Sequence, residues 1–228
     1  MSSGKLEQFG ASHEQGSPQP AGGPWPPPTV FVVDDDAAVL KGLARLLRSA
    51  GLAVATFSSP REFLDRHDPD APGCLVLDVA MPELNGLELQ QTLIARGHEL
   101  AIIFLTGHGD IPMSVKAIKH GAVDFLTKPV SDDDLLTAVR DAIEKDRLQR
   151  QARAEVADIQ QRLATLTPRE REVLEHVISG QLNKQIAADL GTVEKTIKVH
   201  RARVMEKMKV QSVAELVLLA ERAGVGGR

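Results

Sequence analysis

Cys74-Leu75-Val76-Leu77-Asp78 is an apolar run that stops abruptly on a carboxylate. Four apolar or sulfur-bearing side chains in a row, with no polar alternation, predict a strand buried on both faces, as in parallel sheets covered by helices. Its acid then stands at the strand's carboxyl end, where open α/β sheets gather their ligands. The same device recurs on either side. Val30-Phe31-Val32-Val33 ends in Asp34-Asp35-Asp36, Ala101-Ile102-Ile103-Phe104-Leu105 ends in Thr106, and Val123-Asp124-Phe125-Leu126-Thr127 ends in Lys128-Pro129. Four strand tips thus bring carboxylates, a hydroxyl and an ammonium toward one crevice.

That set has a specific chemical use. Crowded carboxylates raise one another's pKa unless a divalent cation sits among them. Hard oxygen ligands with room for water and phosphate suit Mg²⁺. With Asp34, Asp35 and Asp78 around the ion, a free oxygen of Asp78 can attack phosphorus and form an aspartyl phosphate. Thr106 and Lys128 then hydrogen-bond and neutralise the phosphoryl oxygens, which is most of what phosphoryl transfer asks of a protein.

Composition sets the frame around this site. A length of 228 residues, 43% hydrophobic and 25% charged, is ordinary for one or two globular domains. No apolar run approaches the roughly 18 residues of a membrane span, and no basic-then-apolar signal segment opens the chain, so the expected location is the cytoplasm without a membrane partner. The single cysteine, Cys74, cannot form an internal disulfide and reads as a small core hydrophobe. Residues 29–146 carry 11 Lys/Arg against 19 Asp/Glu, a net of −8, whereas residues 147–228 carry 15 against 10, a net of +5. An acidic half that holds metal and a basic half that meets phosphates describe a sensor joined to a nucleic-acid binder.

Residues 1–28 are rich in Gly, Pro, Ser and Gln and close on Pro24-Trp25-Pro26-Pro27-Pro28. Too few apolar residues are present to pack, so this stretch reads as a disordered tail, either a plain linker or a proline-motif ligand. From Thr29, strands alternate with helices. The first helix is capped by Asp36 and ended by Gly51, the second begins at Ser59-Pro60, the third covers Gly86 to Ala95, the fourth Ile111 to His120, and the fifth is capped by Ser131. Right-handed crossovers then give a five-stranded parallel sheet between two helical layers, an α/β domain over 29–145.

No proline or glycine occurs between Ser131 and Thr167, so the fifth helix runs on for about 35 residues, roughly 50 Å. Leu148, Ala152, Val156, Ile159, Leu163 and Leu166 form a narrow seam along it at steps of four, four, three, four and three. This linker, 146–165, reads as a short coiled coil between two copies, as a lone solvated helix, or as a helix folded on the C-terminal domain. Residues 166–226 then carry four helices. Thr167-Pro168-Arg169-Glu170 is an N-cap, a first-turn proline and a capping-box acid. Asn183 to Leu190 and Val193 to Met208 are two helices joined by a tight turn, the second of them basic. That pair forms a helix-turn-helix whose second helix fits a major groove; a small bundle with a solvated basic face is the plainer alternative.

Two resemblances sharpen these readings. Val33-Asp34-Asp35, Leu77-Asp78, Met81-Pro82-Glu83-Leu84-Asn85-Gly86, Thr106-Gly107-His108-Gly109-Asp110-Ile111-Pro112-Met113 and Lys128-Pro129 resemble the receiver domain of two-component response regulators. Leu166-Thr167-Pro168-Arg169-Glu170-Arg171-Glu172-Val173-Leu174, Gly180, Asn183-Lys184-Gln185-Ile186-Ala187 and Thr196-Ile197-Lys198-Val199-His200 resemble the LuxR/NarL-type DNA-binding domain. The run from Val199 to Met208 is similar to the FixJ subfamily. The first resemblance implies a flavodoxin-like (βα)5 fold with sheet order 2-1-3-4-5. It also implies a phosphoacceptor Asp78, Mg²⁺ held by Asp34, Asp35, Asp78 and a backbone carbonyl near Ala80, and switch residues Thr106 and Phe125 beside Lys128. The second implies that Lys198, Val199 and Ala202 face bases and that Lys184, Lys195, Thr196, His200, Arg201 and Arg203 meet phosphates. His200 reads equally as a helix-packing residue.

The function implied is a phosphorylation-activated transcriptional regulator, an activator by its subfamily. Its partners would be a cognate sensor histidine kinase, double-stranded promoter DNA, RNA polymerase and, once phosphorylated, a second copy of itself. It is not an enzyme in this reading, although a slow loss of its own phosphate is expected. Two rivals remain. One is a DNA-binding regulator whose receiver takes no phosphate. The other is a haloacid-dehalogenase-type phosphatase, suggested by the Asp-x-Asp of Asp34-Asp35-Asp36, although the chain has no spare length for a cap.

Overall fold

The computed structural model describes residues 26–107 and 117–225. Most of the N-terminal tail, and most of the segment expected to form the helix from Ile111 to His120, lie outside the described residues. The described chain divides into two compact units with the boundary between Ile143 and Glu144.

In the first unit the apolar runs are strands: β1 (Thr29–Val33), β2 (Ala53–Phe57), β3 (Gly73–Asp78), β4 (Ala101–Thr106) and β5 (Asp124–Thr127). They form one parallel sheet in the order β2-β1-β3-β4-β5. Helices α1 (Ala37–Ser49), α2 (Pro60–Arg66) and α3 (Gly86–Ala95) fill the crossovers. Alternate side chains of each strand go to opposite layers. Phe31, Val33, Leu75, Leu77, Ile102 and Phe104 pack with Phe63 of α2 and Leu89 and Leu93 of α3. Val30, Val32, Cys74, Val76, Ile103 and Leu105 pack with Leu47 of α1 and with Leu135, Val139 and Ala142 in the other layer. All six residues of β3 are buried, which is why its sequence shows no polar alternation.

The helix starts follow from local chemistry. Asp36 accepts from the amides of Ala38 and Val39, Ser59 from that of Glu62, and Asn85 and Glu88 form a reciprocal capping box. α4 (Asp132–Ala164) begins where the Ser131 hydroxyl accepts from Asp134 N–H and runs for 33 residues, as the lack of Pro and Gly predicts.

The second unit holds α5 (Pro168–Ile178), α6 (Asn183–Asp189), α7 (Glu194–Met208) and α8 (Val213–Arg222). Its core gathers Val173, Leu174, Val177, Ile186, Ile197, Val204, Met208 and Leu216 together with Ile159, Leu163 and Leu166. The seam along α4 is therefore divided. Its last three positions are buried in this core, while Leu148 and Val156 are 53% and 38% exposed. The end of α4 is also tied by hydrogen bonds, since Arg171 donates to Leu163 O (3.0 Å) and Lys207 to Thr165 O (2.9 Å). These cations satisfy carbonyls that the last helical turn leaves without partners and complement its dipole. From Ile159 onward, the fold on the C-terminal domain is the arrangement seen. Among the described residues no helix is long and apolar enough to cross a membrane.

Candidate functional site

The strand tips of the first unit converge as their sequence suggests. Asp34 and Asp78, at the ends of neighbouring strands β1 and β3, are 1% and 5% exposed, and Thr106 at the end of β4 is also buried. Lys128, just past β5, reaches across the sheet and donates to Asp34 Oδ2 at 2.7 Å and to Asp78 Oδ1 at 2.6 Å. Burial opposes the charge on the ammonium, but its hydrogen bonds to Asp34 and Asp78 outweigh it and hold the Lys128 pKa above the ordinary lysine value. The backbone sets this reach, because Lys128 N–H donates to Thr106 O at 2.7 Å and so fixes the end of β5 to the end of β4.

The second oxygen of Asp34 accepts from Asp36 N–H at 2.9 Å, so Asp34 is committed on both sides. Asp78 Oδ2 accepts no hydrogen bond among the described residues. Close packing beneath Asp78 explains a glycine that follows it. A Cβ on Gly86 would stand 2.4 Å from Asp78 O, and Gly86 N–H donates to Val79 O at 3.1 Å. The start of α3 is thereby seated directly against the chain that follows β3. Phe125 is half-buried, with its ring 6.0 Å from that of Phe104.

Mg²⁺ suits the donor types present. Asp34, Asp35 and Asp78 offer hard oxygens, and Lys128 alone leaves them with excess negative charge. Among the described residues no three acidic, histidine or cysteine side chains form a metal-holding group. Asp35 and Ala80 are exposed, and Lys128 already bridges the other two acids.

The second unit carries the other set. α6 and α7 meet across the turn at Gly191-Thr192, and the Arg201 guanidinium donates to Asn183 Oδ1 at 3.0 Å, linking them. Ile197, Val204 and Met208 turn one side of α7 into the core. Lys195, Lys198, Val199, Ala202 and Arg203 are exposed on the remaining surface and Lys184 is exposed on α6; Thr196, His200 and Arg201 are half-buried. Lys198 pairs with Glu194 at 3.1 Å. The Nδ1 atom of His200 is enclosed without a hydrogen-bond partner, the position of a ring packed between helices.

Sequence reasoning missed two polar pairs here. Asn183 was noted only within a motif, not as a partner of Arg201. Glu170 was read as a helix cap, yet it also accepts from Lys207 Nζ at 2.6 Å. The hydrogen bonds from Lys207 and from Thr167 N–H bring the Glu170 pKa down to about 2. Nothing local in the sequence signals a contact spanning 37 residues.

Comparison with known proteins agrees with both halves. Residues 30–140 match the response regulator receiver domain, and residues 164–220 match the bacterial regulatory proteins of the luxR family. The chain is 48% identical over 196 residues to Nodulation protein W of Bradyrhizobium diazoefficiens, covering 86% of each chain. It is 47% identical over 196 residues to the transcriptional regulatory protein FixJ of Azorhizobium caulinodans, covering 86% of this chain and 93% of the relative. Among solved structures, the response regulator StyR superposes with a TM-score of 0.79 at 48% identity, covering 86% of this chain and 100% of StyR. Full-length FixJ from B. japonicum gives 0.53 at 45% identity, covering 86% of this chain and 97% of that one. A parallel sheet ending in a Lys-bridged acid pair, followed by a helix-turn-helix unit, accords with these matches: the chain belongs to the response regulators that join a receiver domain to a LuxR-type DNA-binding domain, and it is a transcription regulator.

Proposed function

We propose that this regulator is switched by phosphorylation of Asp78. The observation that carries the reading is the pair of buried acids, Asp34 and Asp78, sharing the Lys128 ammonium at 2.7 and 2.6 Å. A phosphohistidine of a sensor kinase is the donor class. An Asp78 oxygen forms the new O–P bond, the P–N bond breaks, and the imidazole leaves and takes its proton from solvent. Lys128 neutralises a phosphoryl oxygen, and the Thr106 hydroxyl donates to another. Asp34, Asp35, Asp78 and the carbonyl of Ala80 would hold Mg²⁺, which when bound offsets the negative charge of the acids and the phosphoryl group together.

Phosphorylation then changes what the site asks of its neighbours. Thr106 moves toward the new oxyanion, the half-buried Phe125 turns inward, and the face beside β5 becomes competent to meet a second copy. Two helix-turn-helix units held together bind a pseudo-palindromic promoter with an affinity that one lacks, and RNA polymerase reads the outcome as activation. On the duplex, Lys198 and Val199 face bases, while Lys184, Lys195, Thr196, Arg201 and Arg203 position the domain on phosphates. The packed ring of His200 favours a structural role for that residue.

The test is labelling of the full chain by a small phosphoramidate with Mg²⁺, followed by its mass in solution. Wild type is expected to take one phosphoryl group and dimerise, and Asp78→Asn to do neither. An Asp78→Asn variant that still dimerises in response to the donor refutes the assignment.

A further inference from the structure

Glu194 opens α7, and its carboxylate stands 3.1 Å from the Lys198 ammonium one turn further on. Both side chains are largely open to solvent, at 47% and 63% exposure. An acid at this place is at odds with its neighbours. Duplex DNA presents dense negative charge, and Lys184, Lys195, Lys198, Arg201 and Arg203 all lie on the same two helices. One structural reason for the acid exists. The N-cap of α7 is Val193, whose side chain makes no capping hydrogen bond, so a first-turn carboxylate complements a helix dipole that nothing else there meets.

The helical period gives it a second role. Residues 194 and 198 share one stripe of α7, beside the stripe of 195, 199 and 202, while Ile197, Val204 and Met208 occupy the side turned to the core. In a helix-turn-helix the N-terminal residues of the second helix reach the base edges, so Glu194 and Lys198 meet adjoining base pairs together. Chemistry then separates their targets. An ammonium pairs with O6 and N7 of guanine, whereas a carboxylate accepts from N4 of cytosine and is repelled by the acceptor edges of guanine and thymine.

We propose that Glu194 is a specificity-determining residue that reads a cytosine. Off its site, the carboxylate keeps Lys198 paired and withholds that ammonium from phosphates. On its site, Lys198 turns to guanine and Glu194 accepts from cytosine N4. The pair thereby weakens binding to indiscriminate sequence and adds preference at one position of each half-site. This rests on α7 being the recognition helix, as proposed above.

The experiment selects binding sequences from a random duplex library with the donor-treated full chain, for wild type, E194Q and E194D. It also titrates each protein on a mixed-sequence duplex over a range of salt. Wild type is expected to enrich a motif with cytosine at one position per half-site. E194Q is expected to relax that position alone, by about tenfold, a typical value for one base contact. Its affinity for the mixed duplex rises, and its salt slope steepens by about 0.9, the equivalent of one more neutralised phosphate. E194D keeps the charge near the helix end but is shorter, so it relaxes the same position while preserving the fold. An unchanged motif in E194Q, with affinity lowered on every sequence alike, overturns the proposal and leaves Glu194 as a helix-end charge only. A wild type that enriches no motif overturns the recognition-helix assignment itself, and Glu194 with it.

Discussion

Replacing Lys207 with Met tests how far one buried acid organises the second unit. The ammonium donates to Glu170 Oε2 at 2.6 Å and to Thr165 O at 2.9 Å, and so joins α7 to the start of α5 and the end of α4. Glu170 is 3% exposed and would keep only its contacts with Thr167, whose N–H donates at 2.9 Å. Stranding a partner of a buried ion pair costs about 3–5 kcal/mol. The Lys207 side chain is 32% exposed, however, so water can reach the remaining carboxylate and the cost falls below that range, to about 2–3 kcal/mol. In a unit of this size that lowers the melting temperature by roughly 10–20 °C.

Acid titration gives the pair a signature. Because the folded pKa of Glu170 is held at about 2, below its ordinary 4.5, the pairing contributes fully above 4.5 and is lost as pH falls through about 2. The gap between wild type and variant should thus be constant near neutrality and narrow as pH falls below 4.5. Hydrogen exchange on the full chain, read at amides 173–177 and 197–205, should show opening about thirtyfold or more faster in K207M, the equivalent of 2 kcal/mol. Unchanged exchange, or a gap that persists undiminished in acid, would refute the reasoning.

Other consequences follow from the same contacts. Lys128→Met leaves Asp34 and Asp78 facing each other without their shared cation, and it should slow phosphoryl labelling at least tenfold in a donor time course while leaving the helix-turn-helix unit unaffected. Gly86→Ala places a methyl group 2.4 Å from Asp78 O, so it should destabilise the first unit by about 1–3 kcal/mol in denaturant melts. Ile197→Ala removes a fully buried side chain at the centre of the second core and should cost about 2–5 kcal/mol in the same assay. Lys195→Ala should weaken binding to all duplexes alike and reduce the salt slope by about 0.9 per chain, without changing sequence preference.

The receiver sheet was legible because each strand carries its own signal. Val30–Val33, Cys74–Leu77 and Ala101–Leu105 are continuous apolar runs, and each stops on a polar residue, Asp34, Asp78 or Thr106. Caps were equally local, and Asp36, Ser59 and Thr167 stand at the helix starts. The sheet order was not readable from periodicity and came with the family resemblance. Lys128, Thr106 and the two acids could be assigned to one crevice from their places at strand ends. That one ammonium, Lys128, bridges both acids depends on side-chain conformations that no spacing rule encodes. The seam along α4 leaves its cover open for a related reason. A step of three or four residues marks a buried helical stripe whatever covers it, and from Ile159 the cover is the chain's own core.

The ending of α4 has a practical corollary for cutting the protein into parts. Family matching starts the DNA-binding half at residue 164, and the motif beginning at Leu166 suggests the same place. A fragment begun there would lack Ile159 and Leu163, 3% and 4% exposed, and the carbonyl that Arg171 holds. It would open an apolar hollow under α5 and α8, and residual DNA binding by so shortened a piece would reflect a damaged fold rather than release from its receiver. Dissection should begin upstream of Asp158, where the helix surface turns from solvated to packed, so that the isolated half keeps the last turns of the helix that completes it.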